Sequence, residues 1–231
     1  MISEEVAGIY GACYKLALFM TLFGTAFRMG VEPFFFSHAK SEKAQETYAQ
    51  ITDYFIILGS IILLFVVVFI ELLAQLLLGS QTYFQALRIV PIVLLASFCL
   101  GIYHNLSVWY KITDRTKYGA YISAIGAILT IIINLVFIPF YGYMASAVAT
   151  LVAYGSMMGL SYYFGRKYYP IPYNMRKIYF YGGVSILFSV LSFYIFDSDL
   201  IVGSLLLLVF LGLIYKLEGD KLKTIFLKRA D

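Results

Sequence analysis

Long apolar runs, separated by short connections whose charge alternates strictly, constrain this chain more than any other feature. A bilayer core of about 30 Å takes about 20 helical residues. Seven stretches meet that length: residues 6–36, 54–78, 84–110, 118–138, 143–164, 178–196 and 200–215. Fourteen of the 17 Lys and Arg residues fall in alternate connections or after the last run. They are Lys40 and Lys43, then Lys111, Arg115 and Lys117, then Arg166, Lys167, Arg176 and Lys177, and finally Lys216, Lys221, Lys223, Lys228 and Arg229. The intervening connections, 79–83, 139–142 and 197–199, carry none. The positive-inside rule then predicts an N-terminus outside and a C-terminus in the cytosol of the cell (inner or cytoplasmic) membrane. Membrane-barrel strands alternate over about ten residues, and these continuous runs do not. The expected fold is an all-α polytopic membrane protein of about seven transmembrane helices.

Composition agrees. The chain is 61% hydrophobic and 13% charged, with a mean hydropathy of +0.85, against about 45–50% apolar and about 25% charged for a soluble domain. Disorder and nucleic-acid binding are excluded as classes. The net charge of +4 records orientation, so no nucleic-acid partner is expected. Met1-Ile-Ser-Glu-Glu5 is acidic where a signal peptide opens basic, so none is expected. Cys13 and Cys99 match no zinc or redox spacing and read as buried hydrophobes. Pro33 is expected to kink or end the long first run. Segment 37–50 is polar and reads either as an interfacial helix or as a solvated loop. Trp109, Tyr110 and Lys167-Tyr-Tyr-Pro-Ile-Pro-Tyr173 supply interface aromatics, and the two prolines predict an extended linker. Ala145, Ala149 and Ala153, with the Gly155/Gly159 pair, have the spacing of a tightly packed helix.

No catalytic signature is present: no paired-carboxylate motif, no HExxH, no G-x-S-x-G, no phosphate loop. His38 and His104 lie on different segments. An enzyme, a metal site and a cofactor are therefore not expected. The informative residues are the ionisable ones at membrane depth, where charge is costly and marks a cavity, a partner or the headgroups. Lys15 lies about 14 Å into the first run at 1.5 Å per residue; it faces either a water-filled cavity or a structural ion pair. Arg28 and Glu32 are four apart and can pair on one helix face, or serve a lumen. Glu71 and Arg88 lie toward the outer ends of neighbouring runs and are expected to pair with each other. His104, followed by Asn105 and Ser107, reads as hydrogen-bonded to a neighbour before it reads as a ligand.

Several stretches resemble a known family. Ala7-Gly-Ile-Tyr-Gly-Ala-Cys-Tyr-Lys15, Ala26-Phe-Arg-Met-Gly-Val-Glu-Pro-Phe-Phe-Phe36, Val90-Pro-Ile-Val-Leu-Leu and Gly101-Ile-Tyr-His-Asn-Leu-Ser-Val-Trp-Tyr-Lys111 are similar to the C-terminal lobe of Wzx-type polysaccharide flippases. Asn134-Leu-Val-Phe-Ile-Pro-Phe-Tyr-Gly142, followed by residues 145–150, resembles a helix–turn–helix shared with lipid II flippases and MATE antiporters. The resemblance covers about residues 6–180. It implies a rocking transporter of two lobes that turns a polyprenyl-pyrophosphate-linked oligosaccharide across the membrane for cell-surface polysaccharide or O-antigen (lipopolysaccharide) synthesis. It further implies that lumen cations hold the pyrophosphate, with Lys15, Arg28 and Arg88 as candidates and Glu32, Glu71 and His104 as coupling or pairing groups.

On this reading residues 1–165 form a five-helix, C-lobe-like bundle and 166–177 a cytosolic linker. Residues 178–216 form two additional helices, and 217–231 a basic tail. Half a rocker has no opposing wall, so the chain is expected to be a truncated part that needs the missing N-terminal lobe or a second copy. Other expected partners are membrane lipids, the lipid-linked oligosaccharide and glycan polymerase machinery. Two other functions remain open: a MATE-like cation-coupled antiporter, disfavoured because Asp53 reads as a helix start and Glu32 and Glu71 as near-interface residues, and a non-transporting structural subunit.

Overall fold

A computed structural model describes residues 4–78 and 87–227. The 79–83 connection, the expected start of the third run at Phe84, the Cys13 side chain, the side chains beyond Gly219 and residues 228–231 lie outside the described part. Within it the regular structure is all helical, with no strand among the described residues. The helices are α1 (Glu4–Ser37), α2 (Ala44–Val68), α3 (Ile70–Leu78), α4 (Val90–Leu106), α5 (Val108–Ile112), α6 (Lys117–Tyr141), α7 (Tyr143–Tyr168), α8 (Met175–Val190) and α9 (Leu200–Leu227). A π turn, Leu191–Ile195, closes α8. Among the described residues six segments are long and apolar enough to cross a membrane, from Ala44–Val68 to Leu200–Gly219. The first run is the 34-residue α1, about 50 Å long at 1.5 Å per residue.

One expectation about α1 is narrowed and one about α2 is corrected. Pro33 does not end α1, which runs on to Ser37. The last turn is held from outside: Phe35 packs edge-on against Tyr48 at 5.0 Å, and the Tyr48 hydroxyl donates to the Phe35 carbonyl at 2.8 Å. Segment 37–50 is neither a separate interfacial helix nor a plain loop. From Ala44 onward it is the first two turns of α2, in which Ala44, Tyr48 and Ala49 are buried.

The centre is built by α1, α2 and α4. Phe55 of α2 stacks on Phe23 at 5.1 Å and meets Phe27 edge-on at 5.0 Å. A Cβ on Gly101 of α4 would lie 2.3 Å from the Phe55 ring, and one on Gly59 of α2 would lie 2.4 Å from the Phe98 ring. Each helix thus presents a phenylalanine to a glycine of the other, and the two rings lie 6.0 Å apart. Close approach of this kind, through small residues, is how helices associate where lipid removes the hydrophobic drive.

Helix α7 packs on both α4 and α6, and its Ala145, Ala149, Ala153, Met157, Ser161 and Gly165 are buried, with Met157 seated over Gly126 of α6. The alanine spacing therefore does what it predicts. The Gly155/Gly159 pair does not: nothing lies within 4 Å of a Cβ built at either, because the pair faces away from the α4 contact. Helix α8 lies on α2 through another small-residue face, Ser185, Ser189 and Ser192 with Tyr181. Helix α6 leans on α7 and is otherwise exposed, with Ile122 and Gly126 its buried residues. Cys99 is a free, half-buried thiol.

Contacts gather the basic connections at one end. Phe35, Ala44, Tyr48, Val108 and Ile171 form one buried cluster. The Tyr118 hydroxyl donates to that of Tyr168 at 2.7 Å. The ends of α1, α5 and α7 and the starts of α2, α6 and α8 therefore meet, as the alternating charge requires.

Candidate functional site: polar clusters at the basic end

The first cluster is placed by Trp109. Helix α5 follows a one-residue break at Ser107, whose hydroxyl donates back to the His104 carbonyl at 2.6 Å. Trp109 is 1% exposed and its indole N–H donates to Ser161 Oγ at 3.3 Å. It fits because position 165 is glycine, where a Cβ would lie 2.9 Å from the indole ring. With α5 so anchored on α7, Lys111 reaches α1, and its Nζ donates to Glu32 Oε1 at 2.5 Å. Arg28, one turn earlier, and His104 also lie close enough to act on the Glu32 charge. The cluster holds two permanent cations against one carboxylate, with Glu32 about one-third exposed.

Three of the six expected residues, Arg28, Glu32 and His104, are thus brought together. The pairing differs from the expectation, because Glu32 takes Lys111 from another helix and not Arg28 from its own. Lys15 does not join them. It is exposed, on the α1 face that carries exposed Leu22 and Met29. Thirteen residues separate it from Arg28, about 20 Å along the helix and on a different face. Lys15 and Arg28 are not one anion site.

Glu71 and Arg88 form no ion pair, with each other or among the described residues, and both are exposed. Exposed charges gain little from pairing. Arg88 is engaged through its backbone, its carbonyl accepting from the Tyr194 hydroxyl at 3.1 Å.

A second cluster went unread in the sequence. Lys177 of α8 bridges Asp53 of α2, at 3.9 Å, and Glu218 of α9. The Tyr181 hydroxyl donates to Glu218 at 3.1 Å. Glu218 is 7% exposed. Lys177 had counted only as a topology charge, Glu218 as part of the tail and Asp53 as a helix start. Since α2 begins at Ala44, Asp53 sits in its third turn and is not a helix start, which removes that one part of the argument against an antiporter. No group of three or more His, Cys, Asp or Glu among the described residues is arranged to hold a metal ion.

A family model described as MatE matches residues 2–136. No curated protein and no solved structure matches the chain.

Proposed function

The chain belongs to the MatE family of multi-pass membrane transporters, and from that premise we propose that it takes part in moving a polyprenyl-pyrophosphate-linked oligosaccharide from the cytosolic to the outer leaflet. The observation that carries this reading is the cationic excess of the Arg28–Glu32–His104–Lys111 cluster. A pyrophosphate entering apolar surroundings needs compensating cations and charge-assisted hydrogen bonds. Arg28 supplies a planar fork, Lys111 a point charge and Glu32 an internal carboxylate that keeps the cations from trapping the anion. On this reading the basic end is cytosolic, where such lipids are assembled. A second lobe or a second copy supplies the opposing wall, because repeat-built transporters bind substrate between their halves.

Binding tests this before transport does. Purified full chain in detergent is titrated with polyprenyl pyrophosphate and, in parallel, with the uncharged polyprenol. Preference for the pyrophosphate that weakens about tenfold in Arg28→Ala and less in Arg28→Lys supports the reading. Equal affinity for both lipids, or no change in Arg28→Ala, overturns it.

The cation-coupled antiporter is the second reading, favoured by the mostly buried carboxylates of Asp53 and Glu218, which both pair with Lys177. Liposomes carrying the chain and an imposed proton or sodium gradient separate the two. Gradient-driven efflux of an organic cation that is lost in Asp53→Asn belongs to the antiporter alone.

A further inference from the structure

Where α7 gives way to α8, the chain leaves a cleft of about 290 Å3 lined by Tyr162, Arg166, Pro170, Ile171, Pro172 and Tyr173. It lies at the basic end, where the bundle meets water and headgroups. We propose that this cleft binds the phosphate of an anionic phospholipid headgroup, with Arg166 as its charged contact.

The walls argue for an anion and for a preformed site. No carboxylate lines the cleft. Arg166 is exposed and has no ion-pair partner among the described residues, so its guanidinium fork is open to bidentate pairing with phosphate oxygens. The linker competes little. Pro170 and Pro172 have no N–H, while the Tyr173 and Met175 amides are spent on the Ile171 and Tyr173 carbonyls. Two prolines and buried Ile171, seated against Phe35 and Tyr48, hold the linker in shape, which lowers the ordering cost of binding. Tyr162 and Tyr173, with ring centres 6.3 Å apart, give the flank an apolar wall suited to glycerol and the first methylenes of an acyl chain. The Tyr173 hydroxyl is buried with no partner. Burial pushes that phenol far above its ordinary pKa, so it stays a protonated donor beside the cleft. Arg176, in the first turn of α8, is also exposed but does not line the cleft, which makes it an internal control.

The test uses the full chain extracted from nanodiscs of phosphatidylcholine with phosphatidylglycerol, with retained lipids counted by native mass spectrometry. Wild type is expected to keep phosphatidylglycerol in preference to phosphatidylcholine. Arg166→Gln is expected to keep about fivefold less and Arg176→Gln nearly as much as wild type, since one basic residue at an anionic surface contributes roughly that factor. Arg166→Lys keeps the charge without the fork and is expected to fall between, which separates loss of a contact from loss of folding. Equal retention in wild type and Arg166→Gln overturns the site, as does equal loss in Arg166→Gln and Arg176→Gln. Displacement of the lipid by millimolar inorganic phosphate overturns the lipid as its source and leaves a site for a water-soluble phosphate.

Discussion

Lys111 Nζ lies 2.5 Å from Glu32 Oε1, and this contact ties the short helix α5 to the far end of α1. Both side chains are partly exposed, 26% and 36%, so the pair contributes about 0.2–1 kcal/mol to stability and more to the local field. Lys111→Met is expected to lower the melting temperature little and to weaken pyrophosphate-lipid binding. Glu32→Gln is expected to tighten the same binding, because it removes the only anion of the cluster. Titration of both variants with polyprenyl pyrophosphate checks the opposite signs; a shift in the same direction counts against an electrostatic role.

The reciprocal fit of Phe55 to Gly101 and Phe98 to Gly59 predicts intolerance of a single added methyl. Gly101→Ala is expected to cost about 1–3 kcal/mol through overpacking. Phe55→Leu added to Gly101→Ala is expected to recover part of that cost, since contacting residues do not behave additively. Thermal unfolding of the single and double variants in detergent measures the coupling.

Lys177 lies between two carboxylates on different helices. Replacing it with Met leaves two like charges without its ammonium in a mostly buried place. The expected loss is about 3–5 kcal/mol, and it should loosen α8 and α9 from α2. Limited proteolysis at the 169–174 linker reports this. Adding Glu218→Gln to Lys177→Met is expected to restore part of the protection.

At the α6–α7 turn Gly142 has φ +56° and ψ −138°, a region closed to side chains. Gly142→Ala is expected to destabilise by about 1–3 kcal/mol. Gly183, exposed in α8 with nothing within 4 Å of an added Cβ, is the contrast: Gly183→Ala is expected to stabilise by about 0.5–1 kcal/mol. Parallel melting curves separate the two.

Lys15 is exposed on its face of α1 and forms no ion pair among the described residues. If that face lines an aqueous path, Lys15→Cys in a background with Cys13 and Cys99 replaced reacts with a membrane-impermeant thiol reagent. A cysteine inert in every condition assigns the face to lipid and removes Lys15 from any substrate path.

The sequence by itself determined the class and which connections share one end of the bundle. Apolar runs of span length and strictly alternating charge leave no other economical arrangement in a bilayer, because backbone groups in lipid must be satisfied within each helix. The alanines of α7 were legible for a related reason, since four-residue spacing places them on one face. What tertiary structure decided was which charges meet. Glu32 chose Lys111, 79 positions away, over Arg28 on its own helix, and Lys177 drew together Asp53 and Glu218 from two other helices. Local spacing ranks neighbours on one helix, whereas a charge in a low-dielectric interior pairs with whatever partner packing brings closest. The same limit explains the Gly155/Gly159 pair. Its spacing permits a close contact, but nothing packs on that face, and which face of α7 meets its neighbours depends on fits between helices, such as Trp109 over Gly165, that no single segment contains.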